Sequence, residues 1–347
     1  MDYSKLSEWL NLENKVIVHH MDVDGSCSAA QMLKFIKADT YALKDPHLYD
    51  DFLNFLERKK PNVIFFLDLS IDQEWKGLVD LKSKMKKTNF CIIDHHMITK
   101  DMNKYGYLHF NPRFEKTDSY IPASLLVFNI LKDLGFENEK DRWISAIGTI
   151  SDFGHKANPG FIKECKKAYP DLLKGKNVFE SKLGDASKTI YSAIICKGIV
   201  GLKHLLSVLK KSEKFEDFEK DESLKEWRRT VDEEIKITLE DFKKNKQVDG
   251  KIIFYEIKNV YGITSIVSNY ITEMFPKSVI VIGKKDSEGW KLSIRSPKLK
   301  VNLAEVVPRC VEDIGRGGGH EKAAGGFVTD IDLFRKRLGI EINKNLN

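Results

Sequence analysis

The stretch VIVHHMDVDGSCSAA, residues 16–30, runs three apolar residues straight into His19, His20, Asp22 and Asp24, followed by a glycine and small residues. A short apolar run ending in a turn reads as a buried strand, and the small residues after it read as the start of a helix. The pattern recurs: TYAL (40–43), VIFFLDLS (63–70) and FCIIDHH (90–96) are further apolar runs, with helix-compatible segments over roughly 26–37, 47–59 and 72–86 between them. Strand, helix, strand at this spacing predicts βαβ units and a parallel sheet covered on both faces, an α/β fold. Two helices are expected over 119–134 and 138–151, the first stopping at Gly135.

From about 181 to 245 the chain is dense in charge of both signs, apolar residues recur periodically, and proline is absent. This predicts long solvent-exposed helices joining two domains. After Gly250 a second α/β pattern begins, with strands in KIIFYEI, SVIVIG and WKLSIRS and helices in ITSIVSNYITEMF and NLAEVVPRCVEDIG, ending in the cluster GRGGGHEKAAGG. The expected organisation is an N-terminal domain over 1–180, a charged helical linker over 181–247 and a smaller C-terminal α/β domain over 248–347.

The 347 residues are enough for two cores, and 42% hydrophobic with 31% charged residues excludes a disordered chain. No unbroken apolar run approaches the ~18 residues of a membrane span, and the N-terminus lacks a signal peptide's basic start and apolar stretch. The expected location is cytoplasmic, with no membrane partner. Five cysteines, at 27, 91, 165, 196 and 310, are too scattered for a disulfide framework or a zinc ribbon and read as reduced, mostly buried thiols. The net charge of +6 permits an anionic partner without requiring one.

Ligands of an open parallel sheet bind at the carboxyl ends of its strands. Here those ends carry His20-x-Asp22-x-Asp24-Gly25, Asp68, and Asp94-His95-His96, and Asp152 follows the apolar stretch WISAIGTISDFG. Taken singly, each has an ordinary explanation as a helix cap or a turn residue. Together at one edge, the carboxylates repel one another unless cations neutralise them. Histidine and carboxylate without thiolate suit Mn2+, Mg2+ or a similar ion, and four or more carboxylates can hold two ions ~3.5–4 Å apart, the separation used to hydrolyse phosphate esters. Asp68, in the middle strand, is the expected bridge.

The motifs HMDVDG, LDLS, DHH, TISDFG and GRGGGHEKAAGG, in this order, resemble the DHH phosphoesterase superfamily over about 16–152 and 250–329, and within it the archaeal RecJ-like exonucleases that carry a DHH-associated C-terminal domain. The resemblance implies a two-metal phosphodiesterase with Mn2+ favoured and Mg2+ as the alternative. Its metal ligands are His20, Asp22, Asp24, Asp68, His95 and Asp152, with His19 competing for the first place. It makes His96 the phosphate-contacting histidine and Asp94 the residue that orients its neighbours. In the C-terminal domain it implies substrate contacts from Arg295, Ser296, Arg316, Gly317, Gly318, Gly319 and His320. Substrate is expected in a cleft between the domains, which favours a single strand or short oligonucleotide over a duplex. The leading expectation is a single-strand exonuclease on DNA, RNA or both. The alternatives are a nano-RNase or small-nucleotide phosphodiesterase, and a scaffold in replication or RNA-processing assemblies docking through 205–245. An inorganic pyrophosphatase fits the glycine–histidine motif less well.

Overall fold

The computed structural model describes residues 3–296 and 301–346, which form two compact units, Met1–Arg228 and Arg229–Asn347. The first opens with α1 (Ser4–Leu10) and then alternates β1 (Lys15–His20), α2 (Val23–Phe35), β2 (Asp39–Leu43), α3 (Asp50–Lys59), β3 (Val63–Leu67), α4 (Trp75–Lys84) and β4 (Asn89–Ile93), followed by β5 (Leu108–Phe110). All five strands are parallel, in the order β2-β1-β3-β4-β5. The apolar runs are continuous because both faces are covered, and every residue of β3 is buried. One face packs Val16, Val18, Ile64 and Phe66 with Phe52 and Leu56 of α3 and Leu78 of α4. The other packs Ile17, Phe65 and Cys91 on α2 and the helices that follow: α5 (Ala123–Asp133), α6 (Arg142–Ser151), α7 (Pro159–Ala168) and α8 (Lys182–Lys211).

The structure corrects two sequence expectations in this unit. The strand β5 has no sequence signal, because three residues, LHF, are too few to show a period. The first helix, expected from residue 26, starts at Val23, because the Asp22 side chain caps it by accepting the Gly25 N–H at 2.8 Å. Asp24 therefore sits in the first helical turn.

The expected exposed linker is α8, α9 (Phe215–Glu219) and α10 (Glu222–Asn245), and its first half is core of the first unit. Leu183, Ile190, Leu202, Leu205 and Leu209 are buried with residues of α2 and α6. By length and composition α8 is apolar enough to cross a membrane. Its burial against α2 and α6 and a break in helical geometry at Gly198 give it instead the character of a core helix. Charge along α9 and α10 masks the apolar stripe of α8 in the sequence. None of the five cysteines is paired, and four are buried.

The second unit carries β6 (Gln247–Asp249), β7 (Ile252–Glu256), α11 (Thr264–Met274), β8 (Val279–Lys285), β9 (Trp290–Arg295), α12 (Leu303–Val311), β10 (Gly315–His320), β11 (Ala323–Val328) and α13 (Ile331–Leu346). Its sheet, in the order β10-β11-β9-β8-β7-β6, is antiparallel except for the β7–β8 pair. Leu303, Val306 and Val307 of α12 and Phe334 and Leu338 of α13 share its core. The glycine cluster GRGGGH is the edge strand β10, paired along its length with the small-residue strand β11.

Candidate metal centre

Strand register assembles the site. His19 pairs with Leu67 and Leu67 with Ile93, so the next residues, His20, Asp68 and Asp94, leave the sheet side by side. Strand alternation separates the two histidines. His20 faces the acids, its Nδ1 2.9 Å from Asp22 Oδ2 and 3.6 Å from Asp68 Oδ2. His19 is fully buried, its Nδ1 against the His20 carbonyl. Of the two candidates for the first ligand, only His20 stands at the cluster.

Asp68 is 2% exposed and holds a left-handed backbone, φ 58°. His95 places Nε2 3.2 Å from Asp68 Oδ1 and 3.6 Å from Asp152 Oδ2. Asp94 takes the His96 ring through Nδ1 at 2.8 Å and the His96 N–H at 3.2 Å, which fixes that ring while leaving it 42% exposed. Asp24 reaches across to the start of α5, where Ala123 and Ser124 N–H groups donate to its two oxygens at 2.7 and 3.2 Å. Asp152, at the end of α6, accepts the Tyr120 hydroxyl at 2.7 Å.

The sequence reading missed the residues that hold these groups. Tyr120 also lays its ring edge-on to His95, with centroids 5.2 Å apart. Asn111 donates to the His96 carbonyl and Arg113 to the His95 carbonyl, at 3.0 and 2.8 Å. Tyr120 and Asn111 lie in irregular chain and Arg113 in a single 3-10 turn, Pro112–Phe114; the one local signal was Asn111-Pro112, an N-cap before that turn.

Among the described residues, three groups of donors form, each with its atoms within 4.8 Å: Asp68, Asp94, His95 and His96; His20, Asp22 and Asp68; Asp24, His95 and Asp152. Asp68 belongs to two of them. Crowding of buried acids shows in their protonation. Burial and the charges of Asp68 and Asp152 push Asp24 well above the carboxylate range. Burial, then Asp22, lift Asp68 to about 6 against the pull of the histidines. Burial alone would lower the imidazoles, but Asp22 and Asp68 hold His20 up at about 11, and Asp68 and Asp24 hold His95 at about 9. Asp68 Oδ2 accepts no hydrogen bond among the described residues despite its burial. A buried, under-satisfied cluster of oxygen and imidazole donors fits a divalent cation of the Mn2+ or Mg2+ type.

The helix bearing Asp152 must pass close to Asp24. A Cβ on Gly148 would lie 2.3 Å from Ser124 Oγ and 2.6 Å from Asp24 Oδ1. Gly148→Ala is expected to cost about 1–3 kcal/mol by overpacking and to weaken Mn2+ binding roughly tenfold, the effect typical of disturbing a ligand's support. Urea unfolding and a calorimetric Mn2+ titration check both.

In the second unit, Arg295, Ala323 and His320 stand abreast on β9, β11 and β10. A hollow of about 430 Å³ is lined by Arg295 and Gly319 together with Thr264, Lys284, Lys291 and Ser293. Arg316, Gly317, Gly318 and His320 lie on β10 outside that lining, with Arg316 and His320 exposed. Ser296 is fully buried and its hydroxyl has no hydrogen-bond partner among the described residues.

Comparison with known proteins places this geometry. The DHH family N-terminal domain matches residues 14–151 and the DHHA1 domain matches 249–343. No curated protein matches the sequence. Among solved structures, exonuclease RecJ bound to manganese aligns at TM-score 0.68 and 17% identity over 98% of this chain and 93% of that one. RecJ from Thermus thermophilus in complex with Mn2+ aligns at 0.68 and 17%, over 98% of this chain and 54% of that one, so the chain spans about half its length. A pGpG-specific phosphodiesterase, PggH from Vibrio cholerae, aligns at 0.52 and 10%, over 95% of this chain and 99% of that one. These similarities show the shared fold. The chain belongs to the DHH superfamily of phosphoesterases: a hydrolase, RecJ-like in fold, with a DHHA1 domain following its DHH domain.

Proposed function

We propose that the chain hydrolyses phosphodiester bonds of single-stranded nucleic acid as an exonuclease, with two divalent ions, Mn2+ for preference, held by His20, Asp22, Asp24, Asp68, His95 and Asp152. The observation that carries this reading is Asp68, a buried carboxylate shared by two donor groups at the carboxyl edge of the sheet. When bound, the ions neutralise phosphate charge and make water a nucleophile near neutral pH. The chain's own part is positioning. Asp94 fixes the His96 ring through Nδ1 and, against the effect of burial, raises its pKa, which favours the protonated form that donates a hydrogen bond to a phosphate oxygen. Asp22, Asp24 and Asp152 are each pinned by a cap, a helix N-terminus or a tyrosine, so the donors are ordered before substrate arrives.

Arg295, Arg316, the Gly317–Gly319 backbone and His320 are proposed to hold substrate phosphate. Ser296 has a weaker claim, since its hydroxyl is buried. His320→Ala is expected to raise KM about tenfold, as loss of one charged hydrogen bond does, with kcat nearly unchanged in initial-rate assays. A second reading, a phosphodiesterase of dinucleotides and very short oligomers, is favoured by alignment over almost the whole of PggH.

The test is a Mn2+-dependent time course on matched DNA and RNA strands of several lengths, labelled at the 5′ or 3′ end, beside pGpG and inorganic polyphosphate. A ladder on long strands supports the exonuclease. Cleavage confined to dinucleotides supports the second reading. Hydrolysis of polyphosphate alone, or of nothing, overturns both.

A further inference from the structure

Phe153 follows Asp152 directly and occupies a backbone conformation that suits glycine. Its φ is 56°, and the residue is 68% exposed. The reason for the conformation is the end of α6. The Phe153 N–H bonds the Ile150 carbonyl and the Gly154 N–H bonds the Thr149 carbonyl, at 3.1 and 2.9 Å, the closing pair of a Schellman turn. That turn wants glycine at the residue after the cap, since a side chain there crowds its own backbone. This chain places its glycine one position later, at Gly154, where a Cβ would lie 2.3 Å from Pro122 Cγ. At the strained position it keeps a large aromatic residue. The core does not explain that choice, because most of the residue's surface is in solvent.

The surroundings suggest what the ring does. Phe153 leans on Phe179, centroids 5.3 Å apart, and the His155 ring meets Phe179 edge-on at 5.0 Å, which holds the two rings as a shelf. Asp152, one residue away, sets Oδ2 3.6 Å from His95. Met97, which follows His96, is 63% exposed. Two residues of the metal cluster are thus each followed directly by an exposed apolar side chain. An exposed aromatic face beside a phosphate-binding centre is what a nucleobase stacks on. Strain retained at such a place is the usual mark of function.

We propose that Phe153, backed by Phe179, is a stacking platform for the nucleobase next to the scissile phosphate, so that this hydrolase selects nucleotide-bearing phosphodiesters over inorganic phosphate chains. This rests on the phosphodiesterase reading above and names its substrate class. The platform reads no particular base, because every base offers a π-face.

The test is Phe153→Gly, which fits the left-handed turn and keeps the fold. On a short single strand with Mn2+, KM should rise roughly tenfold, within the range of one base–aromatic stack, while kcat changes little. A terminal abasic nucleotide should erase the difference between the proteins, and Phe153→Trp should restore KM. With a terminal 2-aminopurine, binding to the inactive Asp68→Asn protein should change the fluorescence, and Phe153→Gly in that background should abolish the change. The melting temperature should stay level or rise. The proposal is overturned if Phe153→Gly leaves KM and fluorescence unchanged while the wild type cleaves the strand. It is also overturned if Phe153→Gly lowers the melting temperature and Phe153→Trp fails to restore KM, since the ring would then be structural. A wild type that cleaves no nucleotide-bearing substrate overturns this inference and the phosphodiesterase reading together.

Discussion

Asp68→Asn abolishes hydrolysis and leaves a protein that is more stable when measured with EDTA present. The activity loss should be roughly 10³-fold or more, beyond the loss of a single transition-state donor, because Asp68 is shared by two donor groups. The stability gain comes from the same burial. Asp68 is 2% exposed among acids and has a pKa raised to about 6. The folded state therefore binds its proton more tightly than the unfolded chain does. The penalty for the charged form is full above about pH 6 and fades as pH falls toward the usual carboxylate value near 4. Asparagine tolerates the left-handed φ of 58° and carries no charge. At about pH 8 the variant should gain about 1–3 kcal/mol, and below about pH 4 the gain should disappear. Asp24→Ala is a poorer probe, because Asp24 also caps α5 through Ala123 and Ser124 and its removal unsettles the helix. Unfolding curves at the two pH values, beside initial rates, separate the two variants.

Lys34→Met loses about 3–5 kcal/mol of stability, the cost of breaking a buried ion pair by removing one partner. Lys34 Nζ lies 2.7 Å from Asp141 Oδ1, and the two side chains are 6% and 1% exposed. The same ammonium also donates to the Ser212 carbonyl at the end of α8. One charge thus ties α2, which carries Asp24, to the start of α6, which ends beside Asp152, and to the last turn of α8. Without it Asp141 is a lone buried carboxylate, already pushed up by burial against the pull of Lys34. The deficit should shrink as pH falls, since protonation removes the stranded charge. Adding Asp141→Leu should recover most of it at neutral pH. If Lys34→Met were as stable as the wild type in urea, the pair would not hold these helices.

The fold was legible where chemistry and period coincide. VIVHH, VIFFLD and FCIID are apolar runs that end in ionisable residues, and that conjunction marks both a buried strand and its functional end. Register did the rest, and register was the invisible part: His20, Asp68 and Asp94 are neighbours because β1, β3 and β4 align one residue before them. Alternation predicts that one of His19 and His20 faces the site, and only the structure says which. Tyr120, Asn111 and Arg113 went unseen because irregular chain and a three-residue 3-10 turn are too short to show a period. GRGGGH looks like a loop by composition; pairing with AAGGFV makes it a strand, because two small-residue strands can lie close together. Phe153 was hidden for a different reason. Its meaning lies in a positive φ at a residue that is not glycine, and no residue string displays a dihedral angle.

Whether Asp68 holds catalytic ions is decided by a titration of Mn2+ into the EDTA-stripped protein, read by calorimetry and by release from an end-labelled single strand in the same preparation. About two ions should bind per chain, hydrolysis should rise with occupancy, and both should be lost in Asp68→Asn. Hydrolysis that is indifferent to Mn2+ and Mg2+, or metal binding that Asp68→Asn leaves intact, would contradict that role.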